Sequence, residues 1–303
     1  MILKGQNFRL LIKESSPVPL HCVAMSTSCT VTLTGNTEDA SHKDIAGMAT
    51  TPTIVSKSWT IQVDSLNVTD AAAMLSQIKS GQPFTVMFDE TSGTANQQME
   101  HADYARTGQA YLSDVTFNFN NRENSAKSIQ LTGTGALDRV PSSAESSVVT
   151  VDAYTKGQFV RFFLGSDNTA VPAKVIAAAM QLSLHVSLTL EDATTKDTTG
   201  DWVIQEPTAI SYDISTTALV STTETISSAV QAQALADVEE IYEAGTPVRW
   251  QIANTSGDNQ RTKGTVIAYG SCIITQLTIN GANRQNADYT AQFTGYGELN
   301  PAA

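Results

Sequence analysis

Residues 112–137, LSDVTFNFNNRENSAKSIQLTGTGAL, align without a gap with residues 274–299, ITQLTINGANRQNADYTAQFTGYGEL. Ten of the 26 positions are identical, where unrelated sequences of ordinary composition share about 1–2. The identities include Asn121/Asn283, Arg122/Arg284, Gly133/Gly295 and Gly135/Gly297. Both stretches alternate apolar and polar residues. Val115, Phe117 and Phe119 are interleaved with Thr116, Asn118 and Asn120, and Ile129 and Leu131 with Gln130 and Thr132. In the second stretch Leu277 and Ile279 are interleaved with Gln276, Thr278 and Asn280, and Ala291 and Phe293 with Gln292 and Thr294. Period two is the signature of half-buried antiparallel strands, and a slip of one residue would expose every apolar side chain.

Outward from this stretch, further anchors recur in the same order. KGQNFR at 4–9 matches KGQFVR at 156–161, EDASHKD at 38–44 matches EDATTKD at 191–197, and Gly81-Gln-Pro83 matches Gly245-Thr-Pro247. A repeat near 150 residues is too long for a solenoid unit and suits a duplicated domain. The expected division is a first domain at 1–140, a linker at 141–150 that opens with the small, polar PSSAESS, and a second domain at 151–303. Each half is long enough to bury a core of its own.

The same alternation runs through Val31 and Leu33 against Thr30 and Thr32, through Trp59, Ile61 and Val63 against Thr60, Gln62 and Asp64, and through Leu184, Val186, Leu188 and Leu190 against His185, Ser187 and Thr189. One helix is expected per copy. The first spans 71–80, with Thr69-Asp70 as its cap and Gly81 as its stop; the second is longer, about 226–243, and stops at Gly245. The fold class is therefore all-β, a sandwich or open barrel with one flanking helix per domain. Long polar stretches at 35–57 and 191–210 interrupt the strands, and loops of that length are usually functional or disordered.

The net charge of −12 is uneven: ten Lys/Arg stand against fourteen Asp/Glu in residues 1–150, and eight against sixteen in residues 151–303. This argues against a protein that grips phosphate backbones. The N-terminus, MILKGQNFRLLIKESS, breaks its apolar run with Lys4, Arg9 and Lys13, so neither an export signal nor a membrane span is expected. Three cysteines, Cys22, Cys29 and Cys272, are not matched between the copies and suit a reducing compartment.

No reaction chemistry finds a frame. His21, Cys22, Cys29 and His42 lack a C-x-x-C pair, and copy two carries Val175 and Leu182 near the places of the two cysteines. Ser26, Ser28, His42 and Asp44 have no nucleophile elbow around them. The acidic groups at Glu38, Asp39 and Asp44, and at Glu191, Asp192 and Asp197, lack the spacing of a calcium loop; Lys43 and Lys196 read as their counter-charges. Neither an enzyme, a cofactor nor a metal is expected. What stands out instead is the strand face opposite the core, rich in Thr, Ser, Asn and Gln and without Lys or Arg at its centre. An exposed sheet ordinarily places lysines there to prevent strand pairing.

Residues 23–66 resemble the major tail tube protein family of long-tailed bacteriophages. The resemblance rests on a small-residue strand (VAMSTSCTVTLTG), an acidic stretch ending in Lys-Asp (TEDASHKD), Gly47 and a Ser-Trp strand (SKSWTIQVDSL), repeated as AAAMQLSLHVSLTLEDATTKDTTGDW and SYDISTTAL. TGTGAL and FTGYGEL suit the family's last strand. Copy two departs from the pattern with Tyr212 in the place of Trp59 and Trp202 inside the loop.

The resemblance implies a structural virion protein whose two tail-tube-like domains contribute to a shared inner β-barrel. Three chains would form a pseudo-hexameric ring, and stacked rings a conduit for genomic DNA that passes without specific binding. It further implies candidate lumen-facing residues Asp64, Asp114, Thr116, Asn118, Gln276, Thr278 and Asn280. Inter-ring loops would carry Glu38, Asp39, Lys43, Asp44, Glu191, Asp192, Lys196 and Asp197. Expected partners are further copies of itself and other tail proteins (tape measure, terminator, distal tail, sheath), with assembly in a bacterial host cytoplasm and residence in the virion tail. The competing expectations are another tail component, such as a terminator, distal tail or adaptor protein, and a tandem β-sandwich adhesion or carbohydrate-binding protein.

Overall fold

In the computed structural model the described residues are 5, 8–13, 21–23, 25–42, 50–66, 68–90, 104–140, 155–167, 172–198, 200–221, 225–227, 230–256 and 262–302. The expected linker at 141–150 lies outside them. The first half contributes β1 (Phe8–Lys13), β2 (His21–Cys22), β3 (Ser26–Asp39), β4 (Pro52–Ser65), α1 (Ala71–Ser80), β5 (Phe84–Glu90), β6 (Arg106–Asn118) and β7 (Ala126–Arg139). The second contributes β8 (Val160–Leu164), β9 (Lys174–Ile176), β10 (Ala179–Asp192), β11 (Gln205–Leu219), β12 (Thr225–Ser227), β13 (Val230–Gln233), α2 (Leu235–Ala244), β14 (Val248–Ser256), β15 (Thr262–Asn280) and β16 (Asp288–Pro301). Among the described residues the protein is all-β with two short α-helices.

Strand pairing runs β3-β4-β7-β6 in the first half and β10-β11-β16-β15 in the second, and β6 pairs antiparallel with β10 to join the two. Eight strands thus form one layer. The N-terminal part of β6 also carries β5, β1 and β2, and that of β15 carries β14, β8, β9, β13 and β12. The registers of the two halves coincide pair by pair. Thr30 opposite Gln62 corresponds to Ser183 opposite Ser215, Thr60 opposite Thr132 to Asp213 opposite Thr294, and Asp114 opposite Gln130 to Gln276 opposite Gln292. Irregularities coincide as well: β3 and β10 shift register at Ser26/Ser28 and Ala179/Gln181, and β6 and β15 at Leu112/Asp114 and Ile274/Gln276. Left-handed backbone recurs at Met25 and Ala178, and at Arg122 and Arg284.

The core lies beneath the eight-strand layer and runs through both halves as one cluster. Trp59 is its largest member in the first half and donates from Nε1 to the Gly135 carbonyl at 3.0 Å. Gly133 has to be glycine, because a Cβ there would fall 2.0 Å from Trp59 Cε2. In the second half Tyr212 takes Trp59's place, as the sequence indicated. Its hydroxyl donates to the Ser271 carbonyl at 2.5 Å, and a Cβ on Gly295 would meet its ring at 2.6 Å.

Three expectations need correction. α2 is not the longer helix: both helices have 10 residues, and each ends on a left-handed glycine, Gly81 or Gly245. The second half does have more chain between β11 and α2, but the extra residues form β12 and β13, with β13 parallel to β9. Val230 to Leu235 is a spacing of five, which no helical face supports; the helix begins where Asp237 reaches back to accept the Ala234 N–H at 2.8 Å. Asp70 stands at the N-cap of α1 but makes no side-chain cap bond there. Its carboxylate pairs with the ammonium of Lys127, whose side chain is fully buried. Finally, the stretches 35–57 and 191–210 are strand over much of their length. β3 and β4 pair as far as Asp39 opposite Pro52, and β10 and β11 as far as Asp192 opposite Gln205.

Candidate functional site

The polar residues of the eight-strand layer line up in rows across the chain. One row reads Ser28, Asp64, Ser128, Thr116, His185, Asp213 and Thr294, crossing from β3 to β16 without an apolar side chain. A neighbouring row reads Asn118, Ser183, Ser215, Gln292 and Gln276. Thr278 stands opposite Thr290, and Asn280 opposite Asp288. The seven residues named as candidates for a lumen therefore share one face, which the antiparallel alternation keeps opposite the core.

These side chains satisfy one another. Asp64 accepts hydrogen bonds from Ser28 Oγ at 2.6 Å and Ser128 Oγ at 2.8 Å, so its carboxylate is fixed between β3 and β7. Asp114 lies 2.6 Å from His185 Nε2 across the junction of the two halves. Asn280 donates to Asp288 at 2.9 Å, and Ser187 and Ser211 share a bond of 2.8 Å. His185 is the one side chain in these rows able to carry positive charge. The alternation already placed His185 on this face; its partnership with Asp114 depends on a pairing between halves that no local pattern reveals.

The residues expected on loops divide. Glu38 and Asp39 end β3, Glu191 and Asp192 end β10, and all four are outside the core. Asp39 accepts from Ser41 N–H at 2.9 Å and from its hydroxyl, and Asp192 accepts from Thr194 N–H at 2.8 Å. These bonds, the hydroxyl ones foremost, hold both carboxyls below the usual carboxylate range. Asp39 and Asp192 thus serve as turn-closing acceptors, the ordinary use of Asp at such positions. Lys196 and Asp197 are exposed, while Lys43 and Asp44 lie outside the described residues. The base of the second loop folds back on the first half: Lys57 N–H donates to the Asp201 carbonyl at 2.7 Å, Val203 N–H to the Lys57 carbonyl at 3.0 Å, and Gly135 N–H to the Val203 carbonyl at 2.9 Å. Trp202 sits at the centre of this bridge.

The layer ends on two open edges. Among the described residues, the outer side of β3 has no strand partner, and neither does β15 beyond Cys272. The side chains there show the difference from the internal junction. Val186 and Phe117, at the junction, are 0% and 1% exposed, whereas their counterparts Leu33 and Ile279 are 64% and 50% exposed. A long, apolar, unpaired edge is a template for another strand.

Among the described residues no group of three or more His, Cys, Asp or Glu is placed to hold a metal ion, and no helix is long and apolar enough to cross a membrane.

No family model matches the chain, and no curated protein matches it. Solved structures similar to part of it include a chain from the tail of an empty gene transfer agent particle refined with C6 symmetry. That likeness has 18% identity and a TM-score of 0.38, and covers 49% of this chain and 99% of that one. A chain from the virion of a native gene transfer agent is 17% identical with a TM-score of 0.34, over 49% and 99%. The SPP1 tail tube protein is 13% identical with a TM-score of 0.36, over 48% and 78%.

Proposed function

We propose that this chain is a tandem duplicate, with units at 1–140 and 151–303, that polymerises as the major tail tube subunit of a phage-like particle. Three chains close a ring whose inner wall repeats six times, and rings stack into a conduit for the genome. Asp64, Asp114, Thr116, Asn118, Gln276, Thr278 and Asn280 face the lumen. The arms that end in Glu38, Asp39, Lys43 and Asp44, and in Glu191, Asp192, Lys196 and Asp197, meet the adjacent ring. The chain has no catalytic role; its partners are its own copies and the other proteins of a virion tail assembled in the host cytoplasm.

The observation that carries this reading is the eight-strand layer with a self-satisfied polar face and two open ends. Its hydroxyls and carboxylates bond to one another, and its fixed negative charge, nearly without cations, offers a phosphate backbone nothing to hold. A wall of that kind suits passage rather than capture. Electron microscopy of the purified protein tests the reading: hollow tubes built of rings with the mass of three chains are expected, and a monodisperse monomer at assembly concentrations refutes it.

A further inference from the structure

The turn between β6 and β7, residues 119–125, is seated in the second half of the chain. Phe119 N–H donates to the Leu182 carbonyl at 2.8 Å and Leu182 N–H returns to the Phe119 carbonyl at 3.2 Å. Asn121 N–H donates to the Met180 carbonyl at 2.8 Å, and Gly157 N–H to the Glu123 carbonyl at 2.9 Å. The fit is close enough that a Cβ on Gly157 would lie 2.3 Å from the Asn120 carbonyl oxygen. Beside the seated turn only about 20 Å³ remains, bordered by Phe119, Gly157, Arg161 and Leu182.

Among the described residues, nothing fills the matching site in the first half. Gly5, Phe8, Arg9, Thr27, Ser28 and Cys29 line a cleft of about 400 Å³. Nothing lies within 4 Å of where a Cβ on Gly5 would point, and the buried Nε of Arg9 has no hydrogen-bond partner. The matching turn, 281–287, is already formed: Arg284 has φ 61° where Arg122 has 66°, and Gln285 N–H donates to the Ala282 carbonyl at 3.2 Å as Glu123 N–H does to that of Asn120 at 3.4 Å. Residues 281–286 are exposed. Turn and cleft sit at opposite ends of the eight-strand layer, so they meet only between copies.

We propose that the 281–287 turn of one copy docks in the Gly5–Arg9–Cys29 cleft of the next, repeating between chains the contact that 119–125 makes within one. Gly281 then pairs with Cys29, the Asn283 N–H reaches the Thr27 carbonyl, and Gly5 N–H donates to the Gln285 carbonyl. Gln276 to Asn280 of β15 extend the pairing along β3 and cover Leu33 and Ile279. The contact is head-to-tail and heterologous, so it builds a ring or a filament rather than a twofold dimer. It rests on the self-assembly proposed above and specifies how one copy holds the next.

Two variants test it. Ser28 and Ala282 correspond to Gln181 and Asn120, which face each other between the hydrogen bonds just described. Ser28→Cys with Ala282→Cys should, on mild oxidation, give reductant-reversible species at multiples of the 32.3 kDa chain, and neither single variant should. Gly5→Val has room in the isolated chain, so it should melt like the wild type while losing the assembled fraction. Absence of the cross-link in protein that assembles, or wild-type assembly by Gly5→Val, overturns the docking. Tubes formed without the cross-link would sink the docking and leave the tube reading standing, whereas cross-linked closed oligomers that never stack would do the reverse.

Discussion

Asp70→Ala should destabilise the protein far more than the loss of a helix cap. A cap substitution costs about 1 kcal/mol, but Asp70 makes no cap bond; its carboxylate faces the ammonium of Lys127, whose side chain is 0% exposed against 30% for Asp70. Removing one member of such a pair takes the carboxylate away from a buried ammonium, a loss that ranges up to about 3–5 kcal/mol. Because Asp70 retains some solvent, the lower end applies, about 3 kcal/mol. For a chain of this size that is a fall in Tm of roughly 5 °C. The second half offers a built-in control, since it carries Tyr289 and Ala234 where the first has Lys127 and Asp70. Asp70→Ala combined with Lys127→Tyr should therefore recover most of the loss. Urea and thermal unfolding of the two single variants and the double, treated as a cycle, measure the coupling. A loss near 1 kcal/mol for Asp70→Ala, or a double variant no better than the single, would refute the argument that the pair, rather than the cap, holds this corner.

Gly133→Ala and Gly295→Ala should each destabilise, by about 1–3 kcal/mol or more, with the larger effect at Gly133, where the new Cβ meets Trp59 at 2.0 Å against 2.6 Å from Tyr212; equal effects in unfolding experiments would contradict this. Stability should fall under alkaline conditions. Burial, aided by the charge of Asp237, pushes Tyr289 up to about 12, and burial also raises Tyr212 and Cys272. A folded-state pKa above the unfolded one stabilises fully below the unfolded value, near 10 for Tyr289, and that contribution is lost as pH rises to about 12, about 3 kcal/mol in all. Urea midpoints at pH 8, 10 and 11.5 should decline, less steeply in Tyr289→Phe; a flat profile counts against it. Asp64→Lys with Asp114→Lys should turn the polar face from repelling to retaining DNA, adding about one unit of salt slope per phosphate contact. Unchanged DNA binding and delivery would remove the support for a non-adhesive wall.

The alternation of Trp59, Ile61 and Val63 with Thr60, Gln62 and Asp64 could be read directly, because a strand with one buried face records its orientation in every second residue. The polar face was legible for the same reason. The second helix was misplaced because Val230 and Ile226 are apolar residues of short strands, and a few apolar residues near a true helix extend its apparent period. Nothing in the local pattern of the KSIQL strand marks Lys127 as buried; the carboxylate of Asp70, distant in sequence, meets its ammonium only in three dimensions. The docking of 119–125 against Gly157 and Leu182 was equally hidden, since one sequence carries no record of which strand meets which across the middle of the chain.

Among the described residues, the strands β12 and β13 have no counterpart in the first half, whereas the polar rows and their register shifts occur in both. A molecule that touches only the polar face meets the same geometry twice per chain. One that recognises the β12–β13 edge meets its site once. The protein therefore counts differently on its two sides, and any partner's stoichiometry reports which side it has bound.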